Sequence, residues 1–288
     1  ALKMLAEESS CTIITTFDGL MNPMPMPEKF IQEVKKVSVG DILNLEELTK
    51  HLVELGYEKN YQAETMGEFS VRGGILDIFP LTEDNPFRIE FWGDEVDSIR
   101  SFDAESQRSI ENLEEISIYP ACELVLTAEE RQEGIKRILK EADKVSAKLR
   151  KEMKTEEAHR TKSAAAQIAE EAGELGISAG LDAYLSYFCE ERVSLLDYFN
   201  RENTVIFVDE LARSIERGMV TETEYSESMK QRLEKGYILP GQMRELFSCK
   251  EILAKMEKMA CISLVALDLK NSHVDIKEKF VIDSKTVN

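Results

Sequence analysis

Arg88 and Trp92 are the residues of this chain best suited to recognising another molecule. A guanidinium is a planar fork of donors that matches a carboxylate, and an indole combines a large apolar face with one donor. Side chains alternate along a strand, so in Phe87–Trp92 the set Phe87, Ile89, Phe91 shares one face and Arg88, Glu90, Trp92 the other. The first face belongs to a core. The second places the chain's single Trp beside an Arg. A cation–π contact between Arg88 and the indole would be worth about 0.5–2 kcal/mol. If a helix covers this second face, Trp92 is a core residue instead. A second candidate is Asp209-Glu210, which ends the apolar run Thr204–Val208. Two acids at a strand end are where a Mg²⁺ near a nucleotide would be held. That chemistry also needs a glycine-rich loop ending in Lys, and no Gly in this sequence is followed by Lys. The expectation is therefore no catalytic residue, no cofactor and no metal, with a docking surface on the face that carries Arg88 and Trp92.

The elements that must position these residues are legible nearby. Gly93-Asp94 suits a two-residue hairpin turn, with a return strand from about Glu95 to Phe102. Upstream, Phe69–Phe79 reads as one strand interrupted by a bulge or bend at Gly73-Gly74. Asp84-Asn85-Pro86 supplies the turn between the two. Asn44 is a good N-cap for a helix carrying Leu45, Leu48, Leu52 and Leu55 on one face and ending at Gly56. That helix is expected to pack on the inner face of the meander, against Phe87, Ile89 and Phe91. A short strand is expected near Val37–Val39. The result is a small α+β module over residues 35–120.

The runs VRGGILDIFP, PFRIEFWGDEVDSIRSFDAESQRS and ISIYPA resemble the inserted domain shared by two bacterial excision-repair families, UvrB and the transcription-repair coupling factor Mfd. FDAESQRS is more similar to the second. The match is strong over about residues 34–121 and weaker but collinear elsewhere. The resemblance implies a domain that binds UvrA, with interface positions at Arg72, Arg88 and Trp92. The last is typically Phe in the family, so Trp is a departure that keeps the apolar contact. It also implies that Asp209-Glu210 marks a degenerate nucleotide site. ATP, Mg²⁺, DNA translocation and displacement of RNA polymerase would then belong to parts of a longer parent. The alternatives are a fragment of UvrB or another nucleotide-dependent helicase-like enzyme, and a DNA-damage reader.

The remaining sequence bounds these readings. The net charge of −19 opposes a direct grip on DNA, where phosphate contact needs clustered Lys and Arg. The chain opens on Ala rather than Met, as a piece of a longer protein would. No apolar run approaches the roughly 20 residues of a membrane span, and a cytoplasmic protein is expected. The five cysteines contain no C-x-x-C pair. The expected fold class is α/β, a parallel lobe built from residues 1–34 and 121–288 and split by the module. In that lobe Cys11–Thr15 and Thr204–Glu210 read as buried strands. Residues 127–176 read as one long helix or two, broken near 154–161, and most simply a solvated connection. The aromatic run 184–199 suggests packing on a sheet. Residues 210–234 and 241–258 read as helices, and Ile262–Leu267 and Phe280–Asp283 as strands.

Overall fold

The computed structural model describes residues 2–7, 10–174, 181–189, 191–266 and 278–281. Helices α1 (Leu2–Ala6), α2 (Phe17–Met21) and α3 (Pro27–Gln32) lead to strand β1 (Lys35–Ser38) and helix α4 (Leu45–Glu54). Strands β2 (Glu58–Lys59), β3 (Glu68–Arg72), β4 (Ile75–Ile78), β5 (Phe87–Trp92), β6 (Glu95–Phe102) and β7 (Ser109–Leu113) form a six-stranded sheet in sequence order. Strand β8 (Glu115–Ile118) returns to pair antiparallel with β1. Then follow α5 (Ala128–Lys151), α6 (Thr155–Glu174), α7 (Leu185–Phe188), β9 (Val205–Asp209), α8 (Leu211–Glu234), α9 (Cys249–Met256) and β10 (Ala260–Leu264). Strands β9 and β10 pair in parallel.

The module forms as its sequence directs. The Asn44 side chain accepts hydrogen bonds from the Glu46 and Glu47 backbone N–H groups, filling orphan donors at the start of α4. Leu48, Leu52 and Leu55 then pack with Phe69, Leu76, Ile78, Phe87, Ile89, Val96 and Ile99 into one core, with Phe91 at its margin. Full burial of each such aliphatic side chain is worth about 1.5–3 kcal/mol. The Tyr57 hydroxyl donates to the Tyr119 carbonyl at 2.7 Å, tying the end of α4 to the exit from β8.

Several expectations need correction. Gly73-Gly74 is a complete two-residue turn, with Gly73 at φ +62°, and it reverses the chain so that Arg72 pairs with Ile75. A bulge would have kept Phe69–Phe79 in one strand; the turn instead puts Arg72 at a hairpin tip. Residues 10–16 form no strand, and Ile14 is 93% exposed. A strand needs a neighbour for its N–H and C=O groups, and none of the described residues supplies one here. Strand β9 is parallel as expected but not fully buried. Ile206 and Val208 pack toward α8 and α9, whereas Val205 and Phe207 face solvent because the described residues cover only one side of this sheet. Phe280–Asp283 is described only through Val281 and forms no ladder there; its remainder lies outside the described residues.

The acidic, alanine-rich region is a packed helical hairpin rather than a solvated connection. Thr127 and Glu130 form a reciprocal capping box at the start of α5. The break falls at residues 152–154, and Met153 takes φ +64° there. Ile138 and Ala142 of α5 meet Ala165 and Ala172 of α6, small residues that let the two axes approach closely. Tyr184, Tyr187 and Phe188 join this helical core rather than a sheet. The Tyr187 hydroxyl donates to the Glu141 carboxylate and accepts from the Gly241 N–H.

One contact in this hairpin inverts a normal rule. Alanine in place of an interior helical glycine ordinarily gains about 1 kcal/mol of stability. A Cβ on Gly134 would lie 2.0 Å from Cδ1 of the buried Phe188 ring. Gly134→Ala is therefore expected to lower stability by about 1–3 kcal/mol, as overpacked cores do. Urea unfolding measures it, and adding Phe188→Ala should lessen the penalty of the alanine. A raised midpoint in the single variant would refute the contact.

Candidate functional site

The outward face of the six-stranded sheet is a grid set by strand register, because directly paired residues share a face. One row runs Ser70, Asp77, Arg88, Arg100, Asn112 across β3 to β7. The next runs Arg72, Ile75, Glu90, Ser98. A third carries Trp92 opposite Glu95 at the β5–β6 turn. Between the second and third rows the register shifts, since Glu90 pairs with Ser98 and Phe91 with Val96, leaving Asp97 unpaired. This bulge lets Val96 and Ile99 both face the core although their spacing breaks strict alternation.

Asp77 is the hub of the first row. It is 2% exposed and accepts from Arg88 Nε at 2.6 Å and Arg88 Nη2 at 2.8 Å, a fork-on-fork pair. Arg72 Nη2 reaches the same carboxylate at 3.0 Å from the hairpin tip. Arg88 Nη2 also donates to the Gln107 side-chain oxygen at 2.9 Å, and its guanidinium lies over the Phe102 ring, 4.4 Å from the centroid. The hydrogen bonding to Asp77, with the nearby charges of Asp77 and Glu90, raises the Arg88 pKa above the ordinary arginine value, against the opposing cost of burial. In the second row the Glu90 carboxylate pairs with Arg100 and accepts from the Ser98 hydroxyl at 3.2 Å.

The loop after β6 has its own reason to be shaped as it is. The Asp103 carboxylate accepts from the Ser106 hydroxyl and backbone N–H, which hold its pKa below the usual aspartate value. Gln107 then sits at φ +60°, in the left-handed region that non-glycine residues seldom adopt, with its amide donating to the Ala104 carbonyl. That turn aims the Gln107 oxygen at Arg88.

The three residues singled out from sequence thus share one face but differ in access. Trp92 is 82% exposed, and no helix among the described residues covers it. The Arg72 side chain is 41% exposed and that of Arg88 only 14%. The cation–π pair between Arg88 and Trp92 does not form. Four residues along a strand is about 13 Å, well beyond cation–π reach, and Asp77 holds the guanidinium elsewhere. Sequence reading missed Asp77, Gln107 and Arg100. The available signal was a lone acid inside Ile-Leu-Asp-Ile-Phe, an apolar run where a carboxylate needs a cation.

Asp209-Glu210 is built differently from an ion-binding pair. Glu210 takes φ +49° at the start of α8, and its carboxylate accepts from the Ala266 N–H at 2.8 Å. Among the described residues no group of three or more His, Cys, Asp and Glu side chains could hold a metal ion. No helix among them is long and apolar enough to cross a membrane.

Removing Asp77 leaves the largely buried Arg88, and with it the half-exposed Arg72, without their carboxylate. Asp77→Ala is expected to cost about 3–5 kcal/mol in urea unfolding, as breaking one half of a buried pair does. A loss below about 1 kcal/mol would show that the arginines do not depend on it.

Comparison with known proteins places this grid in a recognised setting. Residues 36–124 match the family described as the UvrB interaction domain. Over 246 residues, 85% of this chain, the sequence is 36% identical to the transcription-repair-coupling factor of Bacillus subtilis, of which the match covers 20%. It is 38% identical over 180 residues to the UvrABC system protein B of Fervidobacterium nodosum, with 61% of this chain and 27% of that protein aligned. With the same protein from Thermotoga neapolitana it shares 30% identity over 252 residues, 85% of this chain and 38% of the relative. The chain spans about a fifth to two fifths of the length of these relatives. The resemblance read from the VRGG and FRIEFW runs is borne out, and Arg72, Arg88 and Trp92 all lie within the matched segment.

Proposed function

We propose that this chain is the non-catalytic, UvrB-like part of a transcription-repair coupling factor, and that it recruits UvrA in transcription-coupled nucleotide excision repair through Arg72, Arg88 and Trp92. The observation that carries the reading is an indole standing largely in solvent on a sheet whose same face also carries guanidinium groups oriented by a buried carboxylate. An exposed aromatic is costly to hydration and is the kind of anchor on which binding energy concentrates. Pre-oriented donors lose little freedom on docking, which favours association. Contacts with RNA polymerase and DNA, and hydrolysis of ATP with Mg²⁺, fall to other parts of the parent. Within this chain the lobe of β9, α8, α9 and β10 serves as scaffold, its acidic pair a degenerate remnant of a nucleotide site.

Two measurements test this. Trp92→Ala should weaken UvrA binding in calorimetry by about 2 kcal/mol or more, roughly 30-fold, with an unchanged melting temperature. Arg72→Ala should weaken it less, since part of its charge is already spent on Asp77. Equal affinity of Trp92→Ala and the parent sequence would remove the claim. The similarity to UvrABC system protein B keeps one rival open, a nucleotide-dependent enzyme. Addition of ATP and Mg²⁺ is expected to leave the melting temperature within about 1 °C, because only a ligand that binds the folded state raises it.

A further inference from the structure

The indole does not stand alone at its end of the sheet. Strand β6 begins at Glu95, which pairs with Trp92 on one side and is bridged by Ile42 on the other. Two backbone hydrogen bonds frame that bridge: the Leu43 N–H donates to the Asp94 carbonyl at 2.7 Å, and the Val96 N–H to the Asp41 carbonyl at 2.9 Å. Bridged residues share a face. Alternation agrees, because Leu43, Val96 and Phe91 all pack on the module core while Ile42, Glu95 and Trp92 point away from it. Trp92, Glu95 and Ile42 therefore make one row, with the two apolar side chains about 10 Å apart across two strand spacings. Trp92 is 82% and Ile42 71% exposed, and Glu95 between them is exposed too.

The row has a definite electrostatic sense. Asp94 and Asp97 are exposed on the same hairpin, and no Lys or Arg occurs in either Gly40–Asn44 or Phe91–Asp97. The cations of the grid lie further down the strands, at Arg72, Arg88 and Arg100. We infer that Ile42, Trp92 and Glu95 form a second half of the docking surface, which takes a cationic side chain of the partner between two apolar ones. This rests on the docking reading above and extends it: Arg72 meets acid on the partner, while Glu95 meets Lys or Arg. Opposed charges at two ends of one face fix the orientation of docking, since the reversed pose sets like charges together. Ile42 lies far outside the VRGG and FRIEFW runs in sequence and reaches the row only through the bridge to β6.

Calorimetry of UvrA against the full chain tests the inference with Ile42→Ala, Ile42→Glu and Glu95→Lys beside Trp92→Ala. All three side chains are exposed, so each of the four variants should melt with the parent sequence. Ile42→Ala is expected to weaken binding about 5-fold, and Ile42→Glu and Glu95→Lys 10-fold or more. Glu95→Lys should also flatten or reverse the salt dependence contributed by this end of the face. If Trp92→Ala weakens binding while Ile42→Glu and Glu95→Lys match the parent sequence, the inference is overturned and the docking reading stands. If the parent sequence itself shows no binding, both fall together.

Discussion

Asp77 sits 2% exposed in β4, where an unpaired carboxylate would cost several kcal/mol through lost hydration. It is tolerable there only because Arg88 grips both of its oxygens and Arg72 adds a third contact. The dependence runs both ways. Without Asp77, Arg88 has no reason to lie flat along the sheet over Phe102, and Arg72 has no anchor at the tip of its hairpin. Gln107 completes the arrangement from a loop whose backbone is bent into the left-handed region to deliver it. The outward face of the sheet is therefore ordered by contacts within the chain itself.

That order produces a gradient from a closed end to an open one. Ser70 and Asp77 are buried, Arg88 nearly so, Arg72 half-buried, and Trp92 wholly open. The strand register makes this gradient run along the strands, row by row. Rigid charge lies at one end and exposed apolar surface at the other. A face so divided suits directional docking better than either a uniformly basic or a uniformly apolar one, because position along it carries meaning. The helical hairpin and the two-stranded parallel lobe contribute no side chain to it. Their part is to give the module a body to stand on, through the path from α4 to Tyr119 and into α5.

Much of the module was legible in the sequence because its signals are local. Alternation in Phe87–Trp92, the Gly93-Asp94 turn and the Asn44 cap each depend on neighbours a few residues away, and each formed as read. Gly73-Gly74 was legible as a break but not as a reversal, since a bulge and a tight turn both call for glycine. The strand expected at Cys11–Thr15 failed for the opposite reason. Its residues have strand character, but a ladder depends on a partner strand, which composition cannot supply. The aromatic run near Tyr187 is buried as its composition implies, but against helices rather than a sheet, because burial shows in residue type while the identity of the covering element does not.

The sequence by itself determined that this face would carry Arg88, Glu90 and Trp92 together, since the period of a strand fixes which side chains travel together. It also shows that no Gly in this stretch is followed by Lys, as a G-x-x-x-x-G-K loop requires. Only the tertiary structure decided which of those side chains stand open to solvent. Arg88 turned inward because Asp77, on a different strand, was there to receive it. Ile42 joined Trp92 because a loop distant in sequence bridged onto β6. Both outcomes rest on contacts between segments that the chain brings together only when folded, and such pairings leave no mark in the spacing of residues along it.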